Sequence, residues 1–113
     1  MPNIHVQTNL TLTEDKKIEL KDALGKAIET IPGKTERWLM VVLEDDCKMY
    51  FQGSDAPCAL ASVELLGSAS DATYDKMTAV MTDLLAKTIG VSPDRIYTKY
   101  TEYTHWGWNG NNF

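Results

Sequence analysis

Apolar and polar residues alternate at the start of the chain. From Asn3 to Leu10, Ile4 and Val6 are separated by His5 and Gln7, the period of two that marks a half-buried strand. Thr11-Leu12-Thr13-Glu14 has the spacing of a capping box, with Thr13 as an alternative N-cap. Leu20, Leu24, Ala27, Ile28 and Ile31 then recur at steps of three and four, the stripe of an amphipathic helix. Pro32-Gly33 ends it, because proline cannot continue the hydrogen bonding and glycine accepts a left-handed cap. Trp38 to Leu43 is apolar at every position and predicts a strand buried on both faces. Glu44-Asp45-Asp46 predicts a turn, and Cys47, Met49 and Phe51 a short alternating strand. Gln52 to Pro57 predicts a loop, and Cys58 to Leu66 a mostly apolar strand closed by Gly67. Ser70 or Asp71 can cap a second helix, whose stripe is Tyr74, Met77, Met81, Leu84, Leu85 and Thr88, with Gly90 past its end. Ser92-Pro93-Asp94 turns into a last strand, Arg95 to Tyr103, and Asn109-Gly110 signals a tight turn in the tail.

This order is one β-α-β unit written twice. Pro2 and Pro57 precede the two units, 55 residues apart, and Arg37 and Arg95 open the two return strands, 58 apart. Two such units predict an α+β fold, a four-stranded mixed sheet with two helices on one face. The strands are rich in Trp, Met, Leu and Val, so the other face is expected to be apolar and covered by self-association.

The chain has 113 residues and 12.7 kDa, the size of a single domain spanning 1–113. With 43% hydrophobic and 24% charged residues it has the profile of a folded chain, not a disordered one. A net charge of -5 without a basic cluster argues against nucleic acid as a partner. The longest apolar run, Trp38 to Leu43, is far short of the roughly 20 residues of a membrane span, so no membrane insertion is expected. The N-terminus has neither the basic start nor the apolar stretch of a signal peptide, which predicts a cytoplasmic protein or one secreted without such a peptide. Cys47 and Cys58 make no disulfide framework, and His5 and His105 make no metal site without suitably spaced carboxylates.

The residue types leave few candidates for chemistry. Initiator methionine is normally removed before a small residue such as Pro2, which would leave a secondary amine at the chain start. A free α-amine has a pKa of ~7.7–8.0, and nearby cations or desolvation lower it until the neutral base is present at pH 7. The alternative is that proline simply begins a strand. Lys34 either complements the end of the first helix or serves a site. Cys58 has Ala61 three residues on, so there is no Cys-x-x-Cys, and a core cysteine is the simpler role. His5 reads as structural or surface, and His105, beside Trp106, is a candidate to reach a pocket. Trp38, Trp106, Trp108 and Phe113 are either packing or ligand-contacting aromatics.

These landmarks together resemble the macrophage migration inhibitory factor family of the tautomerase superfamily. The resemblance covers essentially the whole chain. It rests on Met1-Pro2, Thr8-Asn9, Gly33-Lys34 and Met49-x-Phe51-x-Gly53-Ser54-x-x-Pro57-Cys58-Ala59-Leu60. It continues through Leu66-Gly67, Ser92-Pro93-Asp94-Arg95-Ile96-Tyr97, Gly107-Trp108-Asn109 and Phe113. It implies a homotrimer whose three sheets form a barrel, with a site at each subunit interface and no cofactor. It also implies keto–enol tautomerisation of aromatic 2-keto acids such as phenylpyruvate, and of dopachrome derivatives. Pro2 matches the catalytic base, Lys34 the cation for the substrate carboxylate, and Leu66 a backbone amide donor. Tyr97 matches a pocket tyrosine from the neighbouring subunit. Trp38 and Trp106 fall at pocket positions usually held by tyrosine and a smaller apolar residue, and Phe113 closes the rim. Lys99 stands where animal members often have asparagine; two residues from Tyr97 on one strand, it shares that residue's face and predicts a second pocket cation. Ala61 replaces the second cysteine of many animal members, so thiol oxidoreductase chemistry is not supported. The segment Glu102 to Trp106 is shorter than in vertebrate members, and it shapes the pocket rim and a partner surface. A secreted, cytokine-like protein that binds a cell-surface receptor is the competing functional class.

Overall fold

The first helix starts at Thr13, the later of the two candidate caps. In the computed structural model, which describes residues 1–113, the Thr13 side chain accepts from the Lys16 N–H, and α1 runs Glu14–Ala27. Thr11 is used elsewhere, donating to the Asp46 carboxylate. A 3₁₀ turn, Ile28–Thr30, continues α1 toward Pro32-Gly33. The second helix, α2, runs Asp71–Ile89 from a Ser70 cap to Gly90, whose φ of 74° is the left-handed cap that glycine adopts without steric penalty. No helix is long and apolar enough to cross a membrane.

Four strands form the sheet: β1 (Pro2–Thr8), β2 (Met40–Glu44), β3 (Ala59–Leu66) and β4 (Ile96–Tyr103). Their order is β2-β1-β3-β4. Each β-α-β unit gives a parallel pair, β1 with β2 and β3 with β4, and the units meet through the antiparallel β1–β3 pair. The mixed sheet and the duplicated unit are therefore as expected. Both helices pack on one face, over Ile4, Val6, Ala61, Val63 and Leu65 from the central strands. Leu20, Leu24 and Ile28 come down from α1, and Met77, Met81 and Leu85 from α2. The tail forms a hairpin, β5 (Gly107–Trp108) and β6 (Asn111–Asn112). Its two central residues, Asn109 and Gly110, have φ of 52° and 84°, as a type I′ turn requires.

Three expectations are corrected. Trp38 is not in the strand; it ends a 3₁₀ turn, Glu36–Trp38, and β2 is buried on one face only. Val41 and Leu43 lean on the core, while Met40 and Val42 are exposed, because β2 is an edge strand. Cys47 to Phe51 keeps the alternation of half-buried and exposed side chains but has no strand partner in the chain beyond a single Phe51–Ser54 bridge. The open face of the sheet is not uniformly apolar. Its middle carries Asn3, His5 and Gln7 from β1, and Ser62 and Glu64 from β3, with Leu60 and Leu66 at its ends, since alternation sends Ile4, Val6, Ala61, Val63 and Leu65 to the helices.

Thr8-Asn9 and Arg95 both fix the chain around the start of β3. The Thr8 hydroxyl donates to the Cys58 carbonyl at 2.8 Å, and Asn9 Oδ1 accepts from the Cys58 N–H at 2.9 Å, tying the end of β1 to the start of β3. Arg95 fastens the preceding loop by donating to the carbonyls of Phe51, Ser54, Ala56 and Pro57 at 2.9–3.1 Å. Cys47 and Cys58 are both free thiols, and Cys58 is buried.

Candidate active site

Pro2 lies at the start of β1, opposite Leu65 of β3 and near the end of the sheet where the tail hairpin folds back. It is buried, and one side of it lines a cleft of about 1030 Å³. Met1, Trp38 and Trp106 line the same cleft. Lys34 and Leu66 are not on its wall as the chain stands; they meet Met1 from behind. The Leu66 N–H donates to the Met1 carbonyl at 2.9 Å, and Lys34 Nζ donates to the Leu66 carbonyl at 2.9 Å. The Met1 residue thus fills a corner made of one backbone N–H and one ammonium. Its amine is pushed from 8.0 down to about 6, chiefly by burial and next by the positive charge of Lys34.

An aromatic rim surrounds the cleft. Trp38 meets Trp108 edge-on with centroids 5.1 Å apart, and Phe113 packs on both, at 6.4 Å from Trp38 and 6.1 Å from Trp108. Phe113 is held there by its own N–H, which donates to the Trp106 carbonyl at 3.0 Å. Trp106 in turn stands edge-on to Tyr103 at 5.6 Å. The stock of aromatics near the strand ends is therefore gathered around Pro2, and Phe113 sits at the rim.

Tyr97 and Lys99 are elsewhere in the chain. Both face the open side of the sheet, exposed, as their spacing of two requires. Tyr97 is registered through Leu60 with Gln7, five residues along β1 from Pro2, or ~16 Å. It packs edge-on against Phe51 at 4.8 Å. Lys99 is registered through Ser62 with His5, ~10 Å along the strand and two strands across. Neither lines the Pro2 cleft of this chain.

Several cleft residues escaped the sequence reading. Glu64 points into the cleft, with Oε1 accepting from Asn3 Nδ2 at 3.0 Å and Oε2 accepting from the Tyr103 hydroxyl. That bond to Glu64 raises the Tyr103 phenol above its ordinary value. Arg37 lies over the Trp38 ring, 5.3 Å from its centroid, and makes no ion pair. The register of β1 against β3 would have paired Asn3 with Glu64, but nothing in the local pattern marked either residue. His105, beside Trp106, does line the cleft.

Set beside known proteins, the chain matches over its whole length. The family model described as macrophage migration inhibitory factor (MIF) matches residues 1–113. The macrophage migration inhibitory factor of Meriones unguiculatus is 36% identical over 121 residues, covering 100% of this chain and 99% of the relative. The D-dopachrome decarboxylase-B of Xenopus laevis is 29% identical over 113 residues, covering 97% and 95%. Among solved structures, Leishmania major MIF2 superposes with a TM-score of 0.93 at 33% identity, covering 100% of this chain and 97% of that one. The two-unit sheet, the Pro2 corner and these full-length matches place the chain in the macrophage migration inhibitory factor family.

Proposed function

We propose that the protein is a keto–enol tautomerase of aromatic 2-keto acids and dopachrome-like compounds, with Pro2 as the base once Met1 is removed. The observation that carries this reading is the corner that Met1 occupies. A carbonyl oxygen there accepts from the Leu66 N–H, and an amine there is held down to about 6 beside Lys34. With Met1 gone, the Leu66 N–H and the Lys34 ammonium are free for a substrate carboxylate, and the Pro2 nitrogen takes over as the amine of that corner. A secondary amine kept largely neutral at pH 7 can take the proton from the carbon beside the ketone. The C–H electron pair becomes the new C=C bond, and the carbonyl oxygen gains the charge and then a proton. The cation and the N–H orient the acid and favour the charge that grows toward it. The aryl group is accommodated by Trp38, Trp106 and the Phe113 rim.

The working unit in this reading is a homotrimer, in which Tyr97 and Lys99 of one copy reach the Pro2 cleft of the next. The unpaired outer edge of β2, with Met40 and Val42 bare beside it, supports such an assembly. Turnover of phenylpyruvate tests the chemistry. Processed protein is expected to be active, and protein forced to retain Met1 or carrying an N-terminal tag to lose at least a hundredfold in kcat with its circular dichroism unchanged. Equal turnover in the two forms would sink the assignment of Pro2. Sedimentation equilibrium is expected to give about three times the 12.7 kDa chain mass; a monomer at micromolar concentration would remove the shared site.

A further inference from the structure

We propose that Glu64, pinned by Tyr103 and Asn3, determines which aryl groups the cleft accepts, selecting rings that carry a hydrogen-bond donor and rejecting rings that carry a second carboxylate. The proposal rests on the reading of the Pro2 corner as a site for 2-keto acids.

The cleft is polarised between donors and acceptors. Donors gather at the Pro2 corner. Lys34 Nζ spends one N–H on the Leu66 carbonyl and keeps two, and the Leu66 N–H is released with Met1. Along the wall built by Asn3, Glu64 and Tyr103 the unspent groups are mostly acceptors, while the unpaired Arg37 guanidinium lines the cleft beside Trp38. Each Glu64 oxygen takes one donor, from Asn3 or from Tyr103, and retains a further lone pair. The Tyr103 proton is committed to Glu64, so its oxygen presents only lone pairs to a ligand. Asn3 Oδ1 is buried with no partner at all.

The spacing suits one ligand touching both ends. Glu64 and Leu66 are two residues apart on the same face of β3, about 7 Å along the strand. An aryl ring can span that gap, with its acid group at the corner and its far substituent at the wall. The carboxylate is also fixed in place, because its two partners come from β1 and β4 on either side of β3. A hydroxyl or amino group on the ring gains a bond to a charged acceptor. A carboxylate in the same place meets like charge, and the second Asn3 N–H is the one unspent donor among Glu64 and its two partners; the unpaired Arg37 lines the same cleft, and Lys99 of a neighbouring copy is proposed to enter it.

Binding of unreactive analogues tests this independently of catalysis. The probes are phenylacetate, 4-hydroxyphenylacetate and 4-carboxyphenylacetate, followed on the processed protein by quenching of tryptophan fluorescence. The hydroxylated ligand is expected to bind roughly tenfold more tightly than phenylacetate, the worth of one hydrogen bond to a charged acceptor, and the dicarboxylate about tenfold more weakly. Glu64→Gln keeps the shape and removes the charge, and should shrink both differences below about threefold. The wild-type order is itself a test should that variant fold poorly. An absent order in the wild type, or one that persists in Glu64→Gln, overturns the proposal. So does preference for the dicarboxylate, which would put the ring's acid on the unpaired Arg37 or on Lys99 of the neighbouring copy. The expected order without phenylpyruvate turnover would sink the tautomerase reading and support this one. Pro2-dependent turnover without the order would do the reverse.

Discussion

Replacing Lys34 with methionine removes the cation from the Pro2 corner and keeps most of its aliphatic stem. The Met1 amine at that corner lies about two pH units below 8.0, with burial the largest single cause and Lys34 acting next, through its charge and through a hydrogen bond. Coulomb's law sizes the charge alone. A unit charge ~5 Å away contributes about 3 kcal/mol at an effective dielectric of ~20 and about 1 kcal/mol at ~80. The corner is still largely solvated, so screening favours the lower figure, somewhat under one pH unit. The sign follows from the role of the base. A neutral amine does the work, so kcat/KM rises with pH through its pKa and levels off above it. Lys34→Met should move that acid limb up by roughly half to one pH unit and so slow the reaction most below neutrality. It should also raise KM for phenylpyruvate at least tenfold, because a charged hydrogen bond to the carboxylate is lost. Initial rates from about pH 5 to 8 read both effects, with circular dichroism to check that loss of the bond to Leu66 leaves the fold intact. A limb that stays in place would refute the electrostatic account of the base, even if KM rises.

Lys99→Asn should raise the same limb and the KM for phenylpyruvate in trimeric protein, because the ammonium is expected to enter a neighbouring cleft; unchanged pH and substrate profiles would leave it pointing to solvent. Arg95→Ala removes the donors to four loop carbonyls and should destabilise the fold by about 2 kcal/mol, read as a lower midpoint in urea; an unchanged midpoint would mean that water replaces the guanidinium without loss.

Helices and strands with a partner inside the chain were legible in the sequence, because their periodicity and caps report local physics. The Ser70 and Gly90 boundaries and the Asn109-Gly110 turn are of this kind. Thr11 against Thr13 was not decidable, since both have the chemistry of a cap and only the position of Asp46 draws Thr11 away. The run from Trp38 to Leu43 misled because an apolar side chain can be exposed on an edge strand as well as buried in a central one. Cys47 to Phe51 has the side-chain period of a strand, but pairing depends on a neighbour that composition cannot supply. Pro2, Lys34, Trp38, Trp106 and Phe113 stood out by residue type and position, Leu66 came from the family resemblance, and the fold gathers them at one end of the sheet. Glu64, Asn3, Tyr103 and Arg37 were missed, because a single polar residue in a strand carries no sign of what lies opposite until the register is known.

The loop from Phe51 to Pro57 touches no part of the Pro2 cleft of its own chain, yet its shape rests on the Arg95 guanidinium and the Asn9 amide, and Phe51 is the surface on which Tyr97 rests. Arg95 also lies over the Phe51 ring, 5.3 Å from its centroid. In the proposed trimer, a change of length or sequence in this loop would therefore tilt the ring that one copy is expected to offer to the next while leaving that copy's own Pro2, Lys34 and Leu66 untouched. Substrate preference in such an assembly can drift by mutation in a segment some 16 Å from the chemistry, and each altered copy would first feel the change in its neighbour's site.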